Sequence, residues 1–223
     1  MNNTLFDAGG MESSETVPSQ LGPRQRILEA AYQVFAEAGR KGARTREIAR
    51  RARVNIAMIH YYFSSKEELY MRVVTPIFQD IFSRLRKAAS LSDDPRERLQ
   101  AVVNVYFDFL EKHPDFPRLM MWELASGGEA IQRIFSGALT EAGAAFPDEI
   151  TNIFKDGQTK GVFRRHSPQH AVISMAALCV FPFITRKALD VMFPDLTGKP
   201  DFLSERRQQV LDLLINGLSS HIK

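Results

Sequence analysis

The sequence predicts an all-α fold of about nine helices. Two observations carry that prediction: apolar residues recur at helical spacing along the chain, and no stretch alternates strictly between hairpin turn signals. A third adds shape. Three short helical segments precede a longer one, the layout of an N-terminal three-helix helix-turn-helix head on a larger helical body.

The elements follow in order. Residues 1–22, rich in Gly, Ser, Asn and Glu, lack periodicity and read as a flexible N-terminal tail. Over 24–38, Ile27, Leu28, Ala31, Val34, Phe35 and Ala38 form one amphipathic stripe, with Pro23 suited to the first turn and Gly39 to the end. Thr45 suits the cap of a short second helix whose inner face is Ile48, Ala49 and Ala52. A turn of Arg53, Val54 and Asn55 leads to a third helix, capped by Asn55, with Ile59 and Phe63 on its buried side. Ser65 and Glu68 stand at capping-box spacing before a fourth helix carrying Leu69, Val73, Ile77, Ile81 and Leu85. Pro76 inside it is expected to bend or break it. Further helices read near 95–112, 116–125, 129–142, 147–160, 168–193 and 204–222. The expected division is a tail over 1–22, a helix-turn-helix domain over 23–68 and a larger helical domain over 69–223.

Composition narrows the function. At 44% apolar and 25% charged residues the chain reads as a globular protein. No charge-free apolar run reaches the length of a membrane span, and the N-terminus lacks a signal-peptide core. The only cysteine, Cys179, sits among apolar neighbours and reads as a core side chain. A cytoplasmic location is the expectation. His166 and His170 flank Pro168 and do not read as metal ligands, and no nucleophile–base pair or phosphate loop stands at telling spacing. An enzyme, a metal site and a cofactor are therefore not expected.

Charge is unevenly placed. Between Pro23 and Lys66 there are ten Lys or Arg against three Asp or Glu, a local charge of +7 in a chain of net charge +3. A basic head on a mildly acidic body favours a polyanion at one end, although a solvated helix face gives the same count. On a helical wheel of the third helix, Ile59 and Phe63 fall together. Ala57, His60 and Tyr61 lie opposite, flanked by Met58 and Tyr62. Such a face can touch a thymine methyl, a base edge or a phosphate.

The residues that spell this head, Arg26 to Ala31, Phe35, Gly39, Thr45, Ile48, Ala49, Ala52, Val54, Tyr62, Phe63 and Ser65 to Leu69, closely resemble the TetR family of regulators. The resemblance covers about residues 24–72. It implies a sequence-specific regulator of double-stranded DNA, most simply a repressor released from a near-palindromic operator by a small-molecule ligand. Thr45 and Lys66 match the family's phosphate anchors, and Arg46 a position that reaches guanine in some members. Asn55, Ile56, Ala57 and Met58 match the leading turn of the recognition helix, and His60, Tyr61 and Tyr62 its aromatic cluster. Plainer roles stand beside these: Asn55 as a cap alone, Tyr62 and Met58 in the core, Arg46 and Lys66 as surface charges. Two positions depart from the family pattern. Arg53 stands where glycine usually eases the turn, and His60 where tyrosine is usual.

The resemblance also implies a body with a ligand pocket and a homodimer interface on the last two long helices. Both are broadly apolar: 168–193 through Ala171, Ile173, Met175, Leu178 and Phe181, and 204–222 through Val210, Leu211, Leu214 and Leu218. Pocket candidates are Phe107, Met120, Met121, Trp122, Glu123 and Phe181; the alternative is that they are ordinary core and surface residues. A DNA-binding protein whose body contacts another protein, without a small ligand, is the competing function.

Overall fold

The computed structural model describes residues 22–141 and 146–219. The expected tail lies outside the described residues except for Gly22. The described residues form twelve helices with no strand, more than the nine expected. They are α1 Pro23–Gly42, α2 Thr45–Ala52, α3 Ile56–Tyr62, α4 Lys66–Ala89, α5 Pro95–Lys112, α6 Phe116–Ala125, α7 Glu129–Glu141, α8 Phe146–Thr159, α9 Pro168–Ile184, α10 Arg186–Met192, α11 Pro194–Thr197 and α12 Phe202–Leu218. Part of the excess comes from 168–193. Pro182 withholds a backbone donor there, α9 stops at Ile184, and α10 leaves at 73° to it. Thr185 closes α9 by donating its N–H and hydroxyl to the Phe181 carbonyl. By contrast α4 runs through Pro76 unbroken, with Val73, Val74, Ile77 and Phe78 buried on either side.

The chain forms two compact units. One comprises residues through Gln79 together with Arg118–Ile134. Its core joins Ile27, Leu28, Ala31 and Phe35 of α1 to Ile48 and Ala52 of α2, Ile59 of α3, Phe63, and Leu69, Tyr70 and Val73 of α4. Phe35 meets Tyr70 edge to face at 5.0 Å. The backbone of α1 leaves helical geometry at Gly39, φ 67°, where a β-carbon would meet the Trp122 ring of α6 at 3.0 Å. Glycine is needed there for both reasons.

The other unit comprises Asp80–Pro117 and Phe135–Lys223. Here α5 packs on α8, α9 and α12, and α9 packs on α8 and α12. Leu99, Val102, Val103 and Phe107 meet a core that includes Ile153, Phe154, Met175, Cys179, Val210 and Leu211. Burial pushes the Cys179 thiol up to about 12, so it stays protonated and unreactive. One face of α9 and α12 is exposed and apolar, through Ile173, Phe181 and Leu213. Among the described residues no single helix is long and apolar enough to cross a membrane.

Candidate nucleic-acid interface

The head places the DNA candidates through α2, a tight turn and α3. Thr45 is the first residue of α2 rather than its cap. Arg44 holds the cap position and no side chain bonds there, so the expected threonine cap is corrected. Asn55 does cap α3, its Oδ1 accepting from the Ala57 N–H at 2.9 Å. That bond leaves its amide group available to a partner. Along α3 only Ile59 is buried. Ile56, Ala57, His60 and Tyr61 are exposed, Tyr61 to 82%, while Met58 and Tyr62 are half-buried. Tyr62 packs edge to face on Tyr61 at 5.1 Å, so the two rings present one aromatic ridge. Arg46 is exposed beside Thr45.

Lys66 opens α4 and turns back to the end of α1, where its ammonium donates to the carbonyls of Ala43 at 3.2 Å and Lys41 at 3.4 Å. The capping box is shared with a neighbour. Ser65 Oγ accepts from the Glu68 N–H at 3.0 Å, but the Glu68 carboxylate accepts from the N–H and hydroxyl of Ser64.

The basic residues of the head divide into two classes that charge counting cannot separate. Arg50 grips Glu47 with two bonds of 2.8 and 2.6 Å. Arg51 grips Glu37 at 2.7 and 2.6 Å and also reaches Glu47. These bonds hold the Glu47 carboxyl at about 2, with Arg50 the larger cause. Arg40 pairs with Glu67 and with Glu129. Lys41, Arg44, Arg46 and Arg53, in contrast, are exposed, and their side chains have no partner among the described residues. Lys41, Arg44 and Arg53 were not among the sequence candidates. Lys41 and Arg44 carry no sequence signal beyond undivided positive charge, whereas Arg53 stands out as an arginine in a glycine position.

The pocket candidates fall in both units. Met120 is half-buried on α6, while Met121 and Trp122 are 45% and 44% exposed. Glu123, 3% exposed, has both carboxylate oxygens engaged: one accepts from the Tyr70 hydroxyl at 2.9 Å, the other from the Ala130 N–H at 2.7 Å. In the second unit Phe107 is buried against Phe183, with the Arg207 guanidinium 5.4 Å from its ring centre. Phe181 is exposed on α9. A polar groove of about 600 Å³ in that unit, lined by Arg86, Lys87, Arg98 and Glu149 among others, includes neither Phe107 nor Phe181. No three His, Cys, Asp or Glu group together as metal ligands among the described residues.

Comparisons with known proteins complete the picture. A family profile described as "Bacterial regulatory proteins, tetR family" matches residues 27–73, and one described as "Tetracyclin repressor-like, C-terminal domain" matches residues 95–214. The chain is 30% identical over 200 residues to the HTH-type transcriptional repressor NicS of Pseudomonas putida, spanning 87% of this chain and 92% of that protein. It is 36% identical over 113 residues to the HTH-type transcriptional activator FasR of Mycolicibacterium smegmatis, 51% of either chain. The solved structure of PfmR, a TetR family transcriptional regulator from Thermus thermophilus, shares the fold. It has a TM-score of 0.67 at 21% identity, over 87% of this chain and all of that one.

Proposed function

The chain belongs to the TetR family of bacterial regulatory proteins, and on that premise we propose that it represses genes by binding a near-palindromic operator as a homodimer, released by a small molecule. The observation that carries the reading is the exposed face of α3, Ile56, Ala57, His60 and Tyr61, in a head whose Arg44 and Arg46 are exposed and unpaired among the described residues. Exposed aromatic groups in that setting suit base edges and thymine methyls. In this reading Thr45 and Lys66 anchor phosphates, and Arg46, His60 and Tyr61 read bases. Asn55, Ile56, Ala57, Met58 and Tyr62 shape the contact. Residues 23–68 grip DNA, while 69–223 hold the effector and the partner copy. The exposed apolar side chains of α9 and α12, Ile173, Phe181 and Leu213, support placing the partner copy and the two-fold axis there. Repression is favoured over activation because NicS, alike over most of both chains, is named a repressor.

The test is to sequence the genomic fragments that the purified protein retains. A shared near-palindromic site is expected, with half-sites about one helical turn apart. On that site Tyr61→Ala or His60→Ala weakens binding by about 1–3 kcal/mol. Lys66→Ala weakens operator and random DNA alike. Retention of no common site, or wild-type operator affinity in both α3 variants, overturns the assignment.

A further inference from the structure

We propose that Arg53 is a DNA phosphate contact that this chain retains at the expense of fold stability. The inference rests on the DNA-binding role of the head proposed above. Arg53 stands just past α2, where the chain folds back on itself: the Val54 N–H donates to the Ala49 carbonyl at 3.1 Å and the Arg53 N–H to the Arg50 carbonyl at 3.3 Å. This pair of bonds is a Schellman ending, which places the residue after the helix in left-handed backbone. Arg53 accordingly has φ 52° and ψ 49°, the only positive φ outside glycine among the described residues. A β-carbon is unfavourable in that conformation, and glycine would occupy it without strain.

Among the described residues no side-chain contact of Arg53 offsets the strain. The Arg53 side chain is exposed and meets no donor, acceptor, carboxylate or ring among the described residues. Its neighbours differ: Arg50 and Arg51, on the helix that Arg53 ends, each hold a carboxylate. A strained residue whose side chain does nothing internally points to a role outside the chain. Its place narrows that role. Arg53 lies two residues before Asn55, the cap of the helix with the exposed aromatic face. A guanidinium there suits a phosphodiester, which accepts its paired N–H donors.

Stability and binding then change in opposite directions. Without DNA, Arg53→Gly melts about 2–4 °C above wild type. On a random-sequence duplex and on a duplex recovered from the genomic selection alike, its affinity falls roughly fivefold per engaged head at physiological salt. The slope of log K against log salt becomes shallower by about 0.9 per head. Arg53→Lys keeps the charge and the left-handed strain, so it retains the slope without the gain in melting temperature. Unchanged affinity and slope in Arg53→Gly, while wild type binds DNA, overturn the proposal and leave the DNA reading standing. A loss confined to the selected duplex overturns the phosphate assignment. Wild type that binds neither duplex overturns both.

Discussion

Replacing Glu123 by alanine destabilises the protein by about 3 kcal/mol, because it strands two buried donors at once. Glu123 and Tyr70 are 3% and 1% exposed, and the carboxylate is the recorded acceptor for both the Tyr70 hydroxyl and the Ala130 N–H. Burial first, and the neighbouring Glu123 charge second, push the Tyr70 phenol above its usual range, so it remains a donor at any working pH. The expected fall in Tm is about 6–12 °C for a chain of this size. Glu123→Gln keeps the shape and one acceptor oxygen and loses roughly half as much. Tyr70→Phe removes the stranded hydroxyl, so adding it to Glu123→Ala loses less than the sum of the single changes. Thermal unfolding of the four variants checks each point. The alternative for Glu123 is a ligand contact, and it predicts another pattern: wild-type Tm in Glu123→Ala with a lost effector response.

Glu123 also marks where the sequence stops being readable. A tryptophan and an acid side by side on an apolar helix suggest a binding pocket, and local periodicity holds nothing to oppose that. One of the two donors that occupy the carboxylate lies 53 residues away in Tyr70, and the other is a backbone N–H that no side-chain pattern reveals. The Arg51–Glu37 pair, 14 residues apart, is hidden for the same reason, and it removes a guanidinium from a charge count that treats all arginines alike. Local signals fared differently. The spacing of Ile59 and Phe63 places the buried side of α3, Asn55 caps it, and a family glycine replaced by Arg53 locates the one left-handed non-glycine residue among the described residues. The break at Thr185 falls between these cases. Pro182 was visible, but how far a proline perturbs a helix depends on packing: α4 runs on through Pro76, whereas α9 ends two residues after Pro182.

The division of the cations leads to the largest expected effect. Lys41, Arg44, Arg46 and Arg53 are exposed without partners among the described residues, and Lys66 is held only by backbone carbonyls, so each head offers five charges that can displace counterions from DNA. Two heads offer ten, so log K for the operator should fall against log salt with a slope of about −9. Affinity should drop roughly 10⁵-fold between about 50 and 200 mM salt. Counting every basic residue of the head instead would predict a far steeper slope. The two counts separate at Glu47, which occupies Arg50 with two bonds. Glu47→Gln releases Arg50 and should steepen the slope by about 1 per head. Lowering the pH does not reproduce that release: the folded Glu47 carboxyl, held at about 2, is ionised at any pH above about 4, so the pair stays closed through the working range. Anisotropy titrations of wild type and Glu47→Gln across that salt range check both numbers. A wild-type slope near −2 with the operator still bound would remove these five residues from the phosphate contacts and leave recognition to the α3 face alone.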